Sequence, residues 1–171
     1  MARVQSWQEY KAWSRAAHEK ASELLSLETY NLGHHITYST WRQVSPLANL
    51  GIPWILGPIG GGERFPSGFR RILSLQSRLF ELARDASSRL SMRSVSLRRA
   101  IQSASIVLAS TPETRELLLR MGVPAAYVRL APAAFIHSDR IELFKATRPK
   151  TRGACLRIFA GGNLEGRKGL A

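Results

Sequence analysis

Short apolar runs set between longer stretches of helical spacing decide what this chain can fold into. Residues 54–56, 106–109, 127–130 and 156–160 are four such runs, and residues 31–38 are a fifth, β-branched and aromatic at its end. Runs of this length rich in Ile, Val and Leu suit buried strands. Residues 4–27 place Trp7, Tyr10, Ala17, Ala21 and Leu24 at helical spacing, with charges in the gaps. Phe69, Ile72, Leu73, Leu79, Phe80, Ala83 and Leu90 predict one long helix, with Arg70, Arg71, Arg78, Arg84 and Arg89 on its outer face. Leu97, Ala100, Ile101 and Ala104 carry helical spacing on to the run at 106. Thr111 and Pro112 open a helix as N-cap and first residue, with Glu113 at its positive end. Gly122 and Pro124 close it. A short helix is expected over 40–50, a loop over 57–63 and a polar linker over 132–152. Strands alternating with helices give an α/β fold with a parallel sheet and crossover helices.

A chain of 171 residues has length for about one domain. Its 44% hydrophobic content suits a core, and its 22% charged content argues against disorder. The net charge of +13 favours anionic partners: nucleotides, nucleic acid or an acidic membrane face. Cys155 stands alone, which rules out an intramolecular disulfide, fits a reducing compartment and reads as a small apolar residue beside a strand. The longest apolar stretch, 52–59, is broken by Pro53, Gly57 and Pro58, whereas a membrane span needs about 20 apolar residues. Gln5, Gln8, Glu9 and Lys11 interrupt any signal-peptide core.

Two glycine-rich bends follow apolar runs. Gly57, Gly60, Gly61 and Gly62 permit positive φ and close approach of a ligand to backbone, and Glu63 behind them can accept hydrogen bonds from a ligand. A plain tight turn is the alternative. The pattern is neither Gly-x-Gly-x-x-Gly nor a P-loop, so a nucleoside triphosphate site is not supported. The second bend, after residue 160, carries Asn163, Arg167 and Lys168. A strand that ends in glycines beside cations is one way α/β proteins hold a phosphate. Arg167 and Lys168 serve equally as solvated surface charges at a helix start. His34 and His35 end a strand, and alternation sends them to opposite faces, so at most one reaches a cleft. For each of them the alternative is a histidine packed against a neighbouring helix. Trp7, Trp13, Trp41 and Trp54 are read as core. No zinc-ligand spacing and no paired carboxylates occur.

The block His34-His-Ile-Thr-Tyr-Ser-Thr-Trp-Arg42 followed by Leu50-Gly-Ile-Pro-Trp-Ile-Leu-Gly-Pro-Ile-Gly-Gly-Gly-Glu63 resembles the middle of bacterial family-four glycosyltransferases. Ala109-Ser-Thr-Pro-Glu-Thr-Arg115 and Gly162-Asn-Leu-Glu-Gly-Arg-Lys-Gly169 are similar to later blocks of that group, and the opening helix with Tyr10, Trp13 and Ala17 to the helix before its histidine strand. The Gly-Pro-Ile-Gly-Gly-Gly-Glu block is the specific part. The family is retaining, of GT-B fold, with two Rossmann-like domains facing a cleft. The resemblance therefore implies a partial Rossmann-like parallel sheet with flanking helices, an incomplete GT-B fold. Residues 1–131 would be part of the acceptor-side domain, 132–153 a linker, and 154–171 the first strand and turn of the donor-binding domain. Relative to the family the chain lacks the first strands of the N-terminal domain and most of the C-terminal one, and such a fragment is expected to be inactive alone.

The resemblance implies sugar transfer from a nucleotide-sugar donor to a sugar or lipid-linked acceptor, with no cofactor and no metal. One of His34 and His35 would be catalytic; Gly60, Gly61, Gly62 and Glu63 would bind substrate; Lys168, Arg167 and Asn163 would meet the donor diphosphate. The family usually has Arg where this chain has Asn163. A cytoplasmic location is expected, with peripheral contact to the inner membrane face. The alternative is a basic, non-enzymatic module for nucleic acid or an anionic membrane. Nucleic acid is the weaker partner, because the cations spread along helices and no recognised motif is present.

Overall fold

A computed structural model describes residues 7–38, 40–133 and 138–147. Among these residues five α-helices and four strands run in the order α1 (Trp7–Leu27), β1 (Gly33–His35), β2 (Trp54–Ile59), α2 (Leu75–Arg93), α3 (Val95–Gln102), β3 (Ile106–Ala109), α4 (Pro112–Arg120), β4 (Val128–Leu130) and α5 (Ser138–Thr147). The strands form one parallel sheet in the order β1-β2-β3-β4. The fold is thus α/β, a partial Rossmann-like sheet with flanking helices. Strand order follows chain order throughout, so the described strands contain no reversal of the kind that opens a ligand crevice. A site on this sheet must instead be built from the loops that leave the strands' carboxyl ends.

The chain divides into two compact units. The first holds Met1–Arg64 and Ala83–Ala133; the second holds Phe65–Leu82 and Ala134–Ala171. The core of the first lies on one face of the sheet. Leu56, Val107 and Val128 are register partners across β2, β3 and β4, so they share that face. Trp54, Ile59 and Ala109 join them, under Leu97, Ala100 and Ile101 of α3 and Leu117 and Leu118 of α4. Each fully buried aliphatic side chain contributes roughly 2 kcal/mol. On the other face, the register row His34–Ile55–Ile106 is partly or fully exposed.

Local signals fixed α4 as expected. Thr111 caps its start, accepting from Thr114 N–H at 3.2 Å, and Pro112 takes the first turn. Gly122 ends it at φ +83°, while Val123 N–H reaches back to Leu118 O at 3.1 Å. That pair of features is the Schellman ending.

Other elements differ from the sequence reading, each for a physical reason. The expected helix over 40–50 is a run of turns. Its carbonyls are taken from outside: Tyr10 donates to Val44 O at 2.7 Å and the His18 Nδ1–H to Pro46 O at 2.7 Å. Ser45 Oγ accepts from Leu47 N–H, a local bond that competes with helix. β2 runs on to Ile59 rather than stopping at Leu56. Its pairing with β3 jumps from Leu56–Val107 to Ile59–Ala109, so a bulge absorbs Gly57 and Pro58, and Pro58 needs no ladder bond. The histidine strand is only three residues long, and Tyr38 lies at φ +50°. The long helix from Phe69 is two pieces, a 3-10 turn over Ser67–Ile72 and then α2. Leu73 is extended, and Ser74 Oγ accepts from Ser77 N–H at 3.2 Å, which starts a new helix. Tyr127 ends a 3-10 turn rather than opening β4. The expected linker contains α5, where Lys145 pairs with Glu142 at 2.8 Å. The final strand, Cys155 and the second glycine bend lie outside the described residues.

Candidate functional site

Adjacent parallel strands bring their carboxyl ends side by side, so the loop after β2 meets the loop after β3. Gly60 to Glu63 is the first of these, and Ser110 and Thr111 begin the second. Glu63 ties them together. Its Oε1 accepts from Thr111 Oγ1 at 2.7 Å and from Thr114 Oγ1 at 3.1 Å, and its Oε2 accepts from Gly61 N–H at 2.9 Å. Gly62 N–H donates to Thr114 Oγ1 at 3.1 Å. Trp41 Nε1–H donates to Gly61 O at 3.0 Å, and Arg84 to Glu63 O at 2.9 Å. Every one of these groups belongs to the first unit.

Partial burial raises the Glu63 pKa, but the hydrogen bonds from Thr111, its own backbone, Thr114 and Gly61 outweigh this and hold the carboxyl below its ordinary value. The charge also lies at the N-terminus of α4, where the helix dipole favours an anion. Beneath the bend, Trp41 is fully buried, and the Arg42 guanidinium stands 5.7 Å from its ring centroid while donating to Ser88 Oγ at 2.6 Å. Burial lowers the Arg42 pKa, nearby Arg84 adds to this, and Asp85 opposes it.

The glycines serve this closure. A Cβ on Gly62 would lie 2.5 Å from Thr114 Cα and 2.7 Å from its N, and one on Gly60 would lie 2.9 Å from Ser110 Oγ. Gly61 adopts φ +93°. Since the Gly61 N–H is spent on Glu63 and the Gly62 N–H on Thr114 of α4, the bend acts as a rigid wall more than as a cradle of amide donors. A carboxylate has about four acceptor sites, and Thr111, Thr114, Gly61 and its own backbone N–H draw on all of those of Glu63, so a ligand hydroxyl would have to replace one of them.

The two histidines part as strand alternation requires. His34 is exposed, and its Nε2–H donates to Gly57 O at 2.8 Å. A carbonyl only accepts, so this bond places the proton on Nε2 and leaves Nδ1 as the ring's acceptor. His35 is buried, stacks on Trp13 at 5.8 Å between centroids, and neither ring nitrogen has a partner among the described residues. Burial, followed by the neighbouring His34, pushes its pKa down. His34 pairs with Ile55, five residues before Gly60. The ring itself reaches Gly57 O, three residues before Gly60, so at about 3.3 Å per residue, reduced by the bulge, the imidazole and the Gly60–Gly62 bend stand within about 10 Å of each other along β2. The site is therefore elongated: histidine at one end, glycine bend at the other. Lys168, Arg167 and Asn163 lie outside the described residues.

His35 yields a prediction. The folded state prefers it neutral, so the unfolded chain binds more protons below the unfolded pKa of about 6.5. Its contribution is intact above that pH and is lost as pH falls through the lowered folded value. His35→Phe keeps the stack on Trp13 and removes two unpartnered polar atoms. We expect thermal unfolding to show a Tm several degrees higher at pH 5 and a smaller gain at pH 8, in line with about 1 kcal/mol for a buried unsatisfied group. An unchanged pH slope would assign the titration elsewhere.

Sequence reasoning missed Thr114, Arg84 and Trp41 as parts of the site. Only Thr111 carried a usable signal, because an N-cap directly after a strand is at the sheet's carboxyl edge. Among the described residues no cluster of His, Cys, Asp and Glu could hold a metal, and no helix is long and apolar enough to cross a membrane. No family model, no curated protein and no solved structure matches the chain.

Proposed function

We propose that this chain contributes the acceptor-side wall of a glycosyltransferase that moves a sugar from a nucleotide-sugar donor to a sugar or lipid-linked acceptor. The observation that carries the reading is His34: an exposed imidazole whose tautomer is fixed by the Gly57 carbonyl. Its Nδ1 accepts a hydrogen bond from a sugar hydroxyl. Glu63, charged at neutral pH, accepts from another in place of one of its internal donors. A hydroxyl-rich ligand lying along β2 spans the two. In sugar transfer the departing diphosphate is stabilised by cations and backbone donors, a role this reading gives to Lys168 and Arg167, with Asn163 beside them. The reading needs no cofactor and no metal. It includes contact with the inner face of a membrane when the acceptor is lipid-linked.

The sequence blocks around His34 and Gly57–Glu63 support this over a basic module that binds nucleic acid or an anionic membrane, because such a module has no need of a fixed imidazole beside a glycine bend. Saturation-transfer NMR with UDP-, GDP- and ADP-linked sugars tests it. Transfer to the sugar protons of at least one donor is expected, and ATP should give none. Equal signals from ATP and every sugar nucleotide would reduce the interaction to charge alone.

A further inference from the structure

The helical spacing of apolar residues over 69–82 predicts a buried face, and the structure turns that face outward. Phe69, Ile72, Leu75, Leu79, Phe80 and Leu82 are all exposed, from 54% at Leu82 to 77% at Ile72. The one buried residue of α2 is Glu81. All of these residues belong to the second unit. On α2, Leu75, Leu79 and Leu82 are four and three residues apart and form one stripe. At about 100° per residue, Phe80 widens it to roughly 160° of the helix circumference. On the 3-10 turn before α2, Phe69 and Ile72 are three residues apart and share an edge.

Width and charge decide what covers this face. A coiled-coil seam is a narrower stripe, so a single partner helix would leave much of it in water. A second copy of the chain would bring +13 against +13. Arg71 is exposed next to Ile72, and Arg78, four residues before Leu82, borders the stripe. Arg78 donates to Leu73 O and Arg71 O, bonds to neutral carbonyls that leave its charge in place. Bulky apolar side chains on one face with arginines at its border are the pattern of helices that lie in the plane of a bilayer interface.

We propose that residues 69–82 dock on an anionic phospholipid bilayer. The six apolar side chains enter the interface, and Arg71 and Arg78 meet the lipid phosphates. Their aliphatic stems lie along the apolar layer while the guanidinium groups stay at headgroup level, where each fork can hold two phosphate oxygens. The proposal rests on the membrane contact that the sugar-transfer reading includes, and it names the face that makes that contact.

Sedimentation of the chain with phosphatidylcholine vesicles, with and without phosphatidylglycerol, tests it. Leu75→Gln with Leu79→Gln removes the centre of the stripe at exposed positions, and circular dichroism checks that the pair folds. Phe69→Ser with Ile72→Ser is an independent second pair on the turn. Leu27→Gln with Leu130→Gln, exposed apolar positions of the first unit, is the control. We expect binding to the phosphatidylglycerol vesicles that each stripe pair weakens at least tenfold, that Arg71→Gln weakens about fivefold, and that the control pair changes less than twofold. Three results would overturn the proposal: no binding to the anionic vesicles, equal losses in the control pair, or losses with Arg71→Gln alone. A dimer that Leu75→Gln with Leu79→Gln dissolves would assign the face to a second copy and overturn it as well. Sugar-nucleotide saturation transfer is read on the same variants: vesicle binding absent with that signal kept removes this face alone, and the converse removes the transfer reading alone.

Discussion

Gly57→Ala should abolish stable folding. A Cβ at this position would lie 2.4 Å from the carbonyl oxygen of Leu108, in the neighbouring strand, and 2.8 Å from Ile59 N. Both are backbone atoms that cannot swing aside. The residue also sits at φ +114°, where an L side chain is strained by about 1–3 kcal/mol before any clash. Relief would require β2 and β3 to separate at the bulge, and Val107 and Ala109 of β3 are fully buried there. We expect a loss above about 4 kcal/mol, a large share of the 5–15 kcal/mol that holds a domain together. Urea unfolding followed by circular dichroism, or insolubility on expression, would report it. Gly68→Ala meets nothing within 4 Å at an ordinary φ and should change stability by less than about 0.5 kcal/mol. If Gly57→Ala behaves like Gly68→Ala, β2 does not pass β3 as described.

Gly62→Ala is the second large effect, and it strikes the site rather than the sheet. The new methyl would press on Thr114 Cα and N, in the first turn of α4. Either α4 moves or the bend does, and in both cases Glu63 loses Thr111 and Thr114. Overpacking against backbone costs about 1–3 kcal/mol, and lost hydrogen bonds to a part-exposed carboxylate add about 1 kcal/mol. We expect destabilisation of about 3 kcal/mol, together with loss of the acid sensitivity that Glu63 confers. The folded pKa of Glu63 is lowered, so its contribution is present above the ordinary carboxylate value and disappears as pH falls through the folded one. Unfolding measured at pH 3 and pH 7 should therefore show a smaller difference in Gly62→Ala than in the parent chain. An unchanged difference would place that acid sensitivity on other carboxylates.

The contrast between α4 and the segment over 40–50 shows what a sequence can and cannot disclose here. Thr111, Pro112 and Gly122 act on their own helix, so their signals sit within a dozen residues and read correctly. The 40–50 segment has helix-compatible residues, yet its carbonyls are claimed by Tyr10 and His18, which are 34 and 28 residues away. No local rule registers that capture. Gly57 and Pro58 read as a loop for the converse reason: a bulge accommodates a glycine and a proline inside a strand, and only pairing with β3 reveals it. At the site, the separation of His34 from His35 followed from strand alternation. Glu63 did not, because its partners Thr111 and Thr114 are 48 and 51 residues away. A carboxylate after three glycines is legible as a candidate ligand contact, but the hydroxyls already bonded to it come from the neighbouring strand end and cannot be read locally.

The measurement that bears most directly on the account is the nitrogen spectrum of the His34 ring, recorded as a sugar nucleotide is added, with backbone amides of Gly60–Gly62 followed in the same sample. An elongated hydroxyl-binding site predicts a saturable shift at His34 Nδ1, none at buried His35, and concurrent shifts at the bend, all abolished for the distant glycines by His34→Ala. Shifts confined to basic surface residues, with His34 and the bend unmoved at millimolar ligand, would contradict it.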